Sequence, residues 1–229
     1  MTFCVGLVRD AWALVASDTR TRLREYADDE PEPWAAPVLH IQDGSAKVYP
    51  LPTGWLVGGP SVAWRDRAHH AMRDAARLDE ALAAYRAFAG PEMATLEAEC
   101  PGEARAVQQR QSTIVVVRTP AGFAGAHVDW AGDPMWPGAD GRRVSALCPD
   151  VPVGRMQRLL NTYQAAVQHE REIRRVVRAT ARLFADVQAL TGPDGSVSGD
   201  VAIGLLDHQG RRLIGPCPHA ELLGKEVLC

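Results

Sequence analysis

Lysine is nearly absent from this chain. Lys47 and Lys225 are the only two among 25 basic residues in a sequence of 229. An excess of positive charge is missing too. Against 28 acidic residues the formal net charge is −3, which weighs against a dedicated nucleic-acid binder, since such proteins carry a basic footprint. Long apolar runs are lacking. Segments such as TIVVV and VAIGLL fall far short of the ~20 residues that span a bilayer. Arg9 and Asp10 interrupt the first apolar stretch, and no basic leader precedes it, so the pattern of a secretory signal is missing. These absences predict a soluble, cytoplasmic protein with neither membrane nor nucleic acid as partner. A disulfide framework is also unexpected. The five cysteines, Cys4, Cys100, Cys148, Cys217 and Cys229, are odd in number and irregular in spacing. Cys217, His219 and Cys229 supply three possible ligands without a fourth nearby, too few for a closed structural metal site. No metal and no cofactor is expected.

What is present suffices for one sizeable core, with 46% hydrophobic residues. No repeat and no linker divides residues 1–229, which predicts a single domain. Residues 3–8 and 12–17 read as buried strands around a hairpin-length turn. Residues 21–46 are polar and Pro-rich and predict an irregular loop. A second hairpin follows, AKVYPL and WLVGG, turning at Pro52-Thr53-Gly54. The spacing predicts a helix over 61–88, broken at Gly90-Pro91, and a second over 92–111, interrupted at Pro101-Gly102. Strands return at 112–118 and 123–129, and a loop is expected over 130–154. Residues 155–190 predict a long helix or a helix pair, and strands at 200–206 and 211–214 end the chain. Strand clusters joined by tight turns imply antiparallel sheets, with helix layers between them in sequence and outside them in space. The expectation is an α+β fold, a four-layer αββα sandwich of two antiparallel sheets between helix layers.

Several residues suggest chemistry. Removal of Met1 would leave Thr2 with a hydroxyl and an amine on one residue, a known form of activated nucleophile. Lys47 stands out because the composition otherwise prefers arginine. A buried ammonium needs a partner, and Asp18 at the end of the second strand is the natural one. The bland alternatives are an ordinary second residue at Thr2, a surface ion pair of Asp18 with Arg20, and a simple turn at Gly58-Gly59-Pro60. The stripe Arg171, Arg174, Arg175, Arg178 and Arg182 reads as a solvated face or a subunit contact. His69-His70, beside Arg65 and Arg67, also reads as a solvated face. Met135, Trp130 and Trp136 are candidates for interface or substrate contact.

Taken in order, Thr2 opening the first strand, Val5-Gly6, Ser17-Asp18-Thr19-Arg20, Lys47 opening the third strand and Gly58-Gly59 before the first long helix are similar to a proteasome β-subunit. The chain resembles the N-terminal-nucleophile hydrolases, and among them the bacterial proteasome-like proteins called Anbu, whose chains also open Met-Thr-aromatic-Cys. The element order agrees over nearly the whole chain, while the motifs are confined to roughly the first sixty residues. The resemblance implies a threonine-type hydrolase of peptide or amide bonds that acts after Met1 removal. In it Thr2 attacks, Lys47 lowers the nucleophile's proton affinity and Asp18 holds Lys47. It further implies an oxyanion donor at Gly58 or Gly59, support from Arg20, Asp194 and Ser198, a peptide or protein substrate and a homo-oligomer. It leaves any unfoldase partner unknown. The family's Asp-x-x-Ser-Gly pattern is met by Ser198-Gly199, but Asp194 stands one place early. Two function classes therefore stay open, the hydrolase and a catalytically weak or inactive structural subunit of the same fold.

Overall fold

The computed structural model describes residues 3–24, 38–59, 61–135, 145–147, 151–192, 195 and 197–224. In chain order the elements begin with β1 (Cys4–Val8), β2 (Trp12–Asp18), β3 (Thr21–Arg24), β4 (Val38–Gln42), β5 (Val48–Leu51) and β6 (Gly54–Gly58). Next come α1 (Val62–Met72), α2 (Leu78–Glu99), α3 (Pro101–Arg110), β7 (Ser112–Thr119), β8 (Gly122–Asp129) and β9 (Ser145–Leu147). The chain closes with α4 (Val153–Val167), α5 (Ile173–Thr191), β10 (Asp200–Asp207), β11 (Gly210–Pro218) and α6 (His219–Gly224). The protein is α+β, with three antiparallel sheets and six helices among the described residues. One sheet runs β11-β10-β2-β1-β9, a second runs β5-β6-β7-β8, and β3 pairs with β4 as a separate ribbon.

Side-chain alternation along the strands decides where the core lies. On β1 and β2, Val5, Leu7, Trp12, Leu14 and Ala16 join Phe184, Val187 and Tyr163 from α4 and α5 in one apolar cluster. The intervening Cys4, Val8, Ala13 and Val15 point the other way. They meet Trp55 and Val57 of β6 and Ile114 and Val116 of β7. From those strands Leu56, Val115 and Val117 in turn face Trp64, Tyr85 and Met93 on α1 and α2. Successive residues of a strand thus serve two different apolar layers. The two larger sheets approach closely where β1 and β10 carry glycine. A Cβ on Gly6 would lie 2.4 Å from Ile114 Cγ2, and one on Gly204 would lie 2.7 Å from Trp55 Cδ2.

Five local expectations are revised. The segment 21–46 is not wholly irregular, because β3 and β4 pair within it. The break at Gly90-Pro91 does not occur, and Pro91 lies inside α2. A proline inside a helix costs roughly 3 kcal/mol, yet Ala81, Tyr85, Ala89 and Met93 present a buried face every fourth residue across it. That packing outweighs the local break. The helix expected over 61–88 is instead divided between α1 and α2. The segment 130–154 contributes β9, which pairs antiparallel with β1. Finally, α6 follows β11 with no periodic signal long enough to announce it. The region 155–190 resolves into the pair α4 and α5. Trp12 on β2 donates its indole N–H to Glu170 O between them at 3.0 Å, and the Glu170 carboxylate accepts the N–H groups of Arg171 and Glu172. No helix among the described residues is long and apolar enough to cross a membrane.

Candidate functional site

Asp18 ends β2, between β1 and β10 in the sheet. Its carboxylate gathers three donors. Phe3 N–H reaches Oδ2 at 2.7 Å, while Arg20 N–H and Lys47 Nζ reach Oδ1 at 2.8 and 3.0 Å. Lys47 also donates to Arg20 O. Asp18 is 0% exposed and Lys47 1%. The loop before β5 brings Lys47 here by bonding to the chain just past β2. Ser45 N–H donates to Thr19 O at 2.9 Å and Gly44 N–H to Thr19 Oγ1 at 3.2 Å. Gly44 has φ +82°, the left-handed region, with open space around a Cβ, so this turn needs glycine for its backbone and not for lack of room.

Burial lowers the proton affinity of Lys47 below that of an ordinary lysine, and the Asp18 charge opposes that shift. Lys47 is thus predisposed to give up its proton while held beside a carboxylate. Cys4 lies in the same neighbourhood and is inert. Burial pushes its thiol up to about 12, so almost no thiolate forms at neutral pH.

Arg20 does not pair with Asp18 on the surface. Its guanidinium makes a bidentate pair with Asp43, Nε to Oδ1 at 2.8 Å and Nη2 to Oδ2 at 2.9 Å, and donates to Gly195 O at 2.9 Å. Arg20 holds the Asp43 carboxyl below its usual range. Arg20 thus bridges the loop before β5 to the segment before β10, while its carbonyl receives Lys47. Ser198 fixes the same stretch from the β10 side. Its hydroxyl accepts Thr19 N–H at 3.0 Å, lies 3.1 Å from Thr19 Oγ1 and donates to Asp200 O at 2.9 Å.

The glycine pair stands at the end of β6. Cys4 Sγ lies 3.5 Å from Gly58 O, and Gly59 N–H donates to Ser112 O at 2.8 Å. Gly58 is also where the backbone meets Arg65, since a Cβ there would lie 2.9 Å from Arg65 Cγ. Behind Gly59, Ser112 Oγ lies 2.7 Å from His127 Nε2. Burial pulls His127 down to about 4, against the opposing charge of Asp129, so this imidazole is neutral at pH 7.

The structure therefore brings Asp18, Lys47 and Arg20 together and places Ser198 against Thr19. Thr2 and Asp194 lie outside the described residues, as do Trp136, Cys148 and Cys229. Three contributors escaped the sequence reading. Asp43 sits in an ordinary Asp-Gly turn, which signals a turn and no partner. The Ser112–His127 pair faces across β7 and β8. Arg65 was expected on a solvated face and is 1% exposed. Its spacing of three and seven residues before the buried Ala68 and Met72 was the available signal. Arg67 and His70 are exposed as expected, whereas His69 is half-buried, with its ring against Tyr49 and its Nε2 3.1 Å from Pro50 O. Arg171, Arg174, Arg175, Arg178 and Arg182 are exposed as well, as a solvated face requires. A polar cavity of about 310 Å³ lined by Arg9, Trp12, His169, Glu170 and His208 lies at the other end of β1 and β2. No protein-family model matches the chain, and no curated protein is significantly similar to it.

Proposed function

We propose that the protein is a threonine-type N-terminal-nucleophile hydrolase of peptide or amide bonds, built as a four-layer αββα sandwich. The observation that carries this reading is the buried Lys47–Asp18 pair, whose carboxylate also holds the backbone N–H of Phe3, the residue bonded to Thr2. In a mature chain that starts at Thr2, Thr2 Oγ bonds to the substrate carbonyl carbon and gives its proton to the terminal amine or to Lys47 as a neutral amine. The tetrahedral intermediate expels the leaving amine, which takes that proton, and water then hydrolyses the ester on Thr2. A proton carrier here must be buried and easily deprotonated, and burial lowers the proton affinity of Lys47 as that role requires. The three apolar clusters, helix against sheet, sheet against sheet and sheet against helix, support the sandwich.

One observation favours the second reading, a weak or inactive subunit of the same fold. Gly59 N–H is already donated to Ser112 O, whereas an oxyanion needs a donor aimed at it.

Intact mass and a peptide epoxyketone, which requires hydroxyl and amine on one residue, test the proposal together. The expected result is a chain starting at Thr2 with a single adduct on that residue, lost in Thr2→Ala. A chain that starts at Thr2 and stays unlabelled on long incubation would establish the inactive subunit instead. Lys47→Arg keeps the charge but is larger and effectively never deprotonated. It is expected to fold with a loss of about 1–3 kcal/mol from overpacking and to lose hydrolysis. Wild-type turnover by that variant would assign Lys47 to structure alone.

A further inference from the structure

Three chain reversals enclose the polar cavity of about 310 Å³, and each is held by hydrogen bonds of its own. Arg9 N–H donates to Trp12 O at 2.8 Å and closes the turn between β1 and β2. The Trp12 indole ties that turn to Glu170 O, and Glu170 Oε1 accepts the N–H groups of Arg171 and Glu172 at 2.9 and 2.8 Å, which fixes the connection between α4 and α5. Arg118 Nη2 donates to His208 O at 3.1 Å and steadies the turn between β10 and β11. The volume falls at the small end of ligand pockets, which run from about 300 to 1,000 Å³. Walls fixed in advance spare a ligand the cost of ordering them.

Two of these walls each carry one base and one acid side by side. Arg9 and Asp10 come from the β1–β2 turn, and Glu170 and Arg171 from the α4–α5 connection. Arg9 is pinned, with Nη1 donating to Val8 O at 2.8 Å. Glu170 is held through Oε1, while its Oε2 lies 3.6 Å from the exposed Arg175. Asp10 and Arg171 are exposed, and among the described residues neither the Asp10 carboxylate nor the Arg171 guanidinium has a hydrogen-bond or ion-pair partner. The four lining charges sum to zero. Next outward, Arg175 pairs with Glu172 at 2.8 Å and Arg212 with Asp207, which adds nothing net, and Arg118 adds one positive charge behind His208. A plain anion would gain from Arg9 and Arg171 but face Asp10 and Glu170, and a plain cation would meet the reverse. A ligand that carries both charges gains from both.

We propose that this cavity binds a small zwitterion, a free amino acid or a dipeptide, with its carboxylate on the guanidinium groups of Arg9 and Arg171 and its ammonium on the carboxylates of Asp10 and Glu170. Guanidinium forks match a carboxylate with parallel hydrogen bonds, and an ammonium has three donors to share between two acids. His169 and His208 supply ring nitrogens for the ligand's remaining polar atoms. Asp18 and Lys47 sit at the opposite end of β2, so this site does not rest on the hydrolase reading.

Titration calorimetry on the full chain carrying Thr2→Ala, in which no probe can be cleaved at that residue, tests the proposal. The probes are alanine, Ala-Ala, N-acetyl-Ala-Ala, which lacks the ammonium, and Ala-Ala-amide, which lacks the carboxylate. Ala-Ala or alanine is expected to bind at millimolar concentration or below, and each blocked dipeptide about tenfold or more weakly than Ala-Ala. Arg171→Gln is expected to weaken Ala-Ala about tenfold and to leave the amide as it was. Asp10→Asn is expected to weaken Ala-Ala similarly and to leave the N-acetyl form as it was. Both residues are exposed, so both variants are expected to fold. Either order between alanine and Ala-Ala supports the site and names its occupant. No binding of either zwitterion at millimolar concentration would overturn the proposal, as would blocked dipeptides that bind as well as Ala-Ala. Undiminished binding of Ala-Ala in both variants would also overturn it, by placing the ligand elsewhere on the protein.

Discussion

Cations occupy two opposite settings in this molecule. On the outer face of α5, Arg175 and Arg182 have 69% and 70% of their side chains exposed and pair with Glu172 and Asp186 at 2.8 and 3.6 Å. Beside β2, Lys47 pairs with Asp18 at 3.0 Å with 1% and 0% exposed. The distances are comparable and the consequences are not. Water screens the α5 pairs, and holding two long side chains in place offsets most of the attraction, so such pairs contribute about 0–1 kcal/mol. The interior pair has no water to fall back on. Asp18 must satisfy Lys47, Phe3 and Arg20 together, and the removal of one member strands the others.

The comparison is broken most severely at Asp18. Asp18→Ala takes the counter-ion from buried Lys47 and leaves two backbone N–H groups without their acceptor, and is expected to lower stability by about 3–5 kcal/mol. The urea midpoint measures this, and a loss below about 1 kcal/mol would put the interior pair in the same class as the exposed ones.

A different interior base sharpens the same point through pH. His127 is pulled from 6.5 to about 4 by burial, so between those values the unfolded chain binds the proton and the folded one does not. Stability therefore falls as the pH drops from 6.5 towards 4, by on the order of 3 kcal/mol from this residue. Carboxylates lose stability over part of the same range, which makes the difference between wild type and His127→Gln the informative quantity. Urea unfolding at pH 7 and pH 4.5 is expected to show a clearly smaller acid loss in the variant. Parallel profiles would mean that His127 is protonated in the folded state.

The smallest effects belong to the exposed face. Arg175→Ala and Arg182→Ala are each expected to change stability by about 0.5 kcal/mol or less, with any loss fading as salt is raised. A loss of more than about 1.5 kcal/mol in dilute, unassembled protein would contradict the description of this face as solvated.

The sequence by itself determined most of the strand and helix positions, because short continuous apolar runs mark β1, β2, β6, β7 and β10 as strands buried on both faces, and the 3–4 spacing along α4 and α5 is imposed by local geometry on a helix that buries one side. It also singled out Asp18 and Lys47 as residue types that need each other if buried. Tertiary structure decided the rest. The short strand β9 pairs with β1 from the opposite half of the sequence, and the short strands β3 and β4 pair with each other inside a polar, Pro-rich segment that carries no strand pattern. Pro91 stays in α2 because packing across it outweighs the local break. Arg20 turned to Asp43, 23 residues away, although Asp18 is its near neighbour in sequence. Arg65 is a charged residue whose position on α1 turned it inward, a cation left with one N–H unpaired. Which charges meet, and which is left without a mate, depends on which chain segments the closed core brings side by side. No local pattern carries that information, because the energy of a buried charge is set by neighbours that only the folded chain assembles.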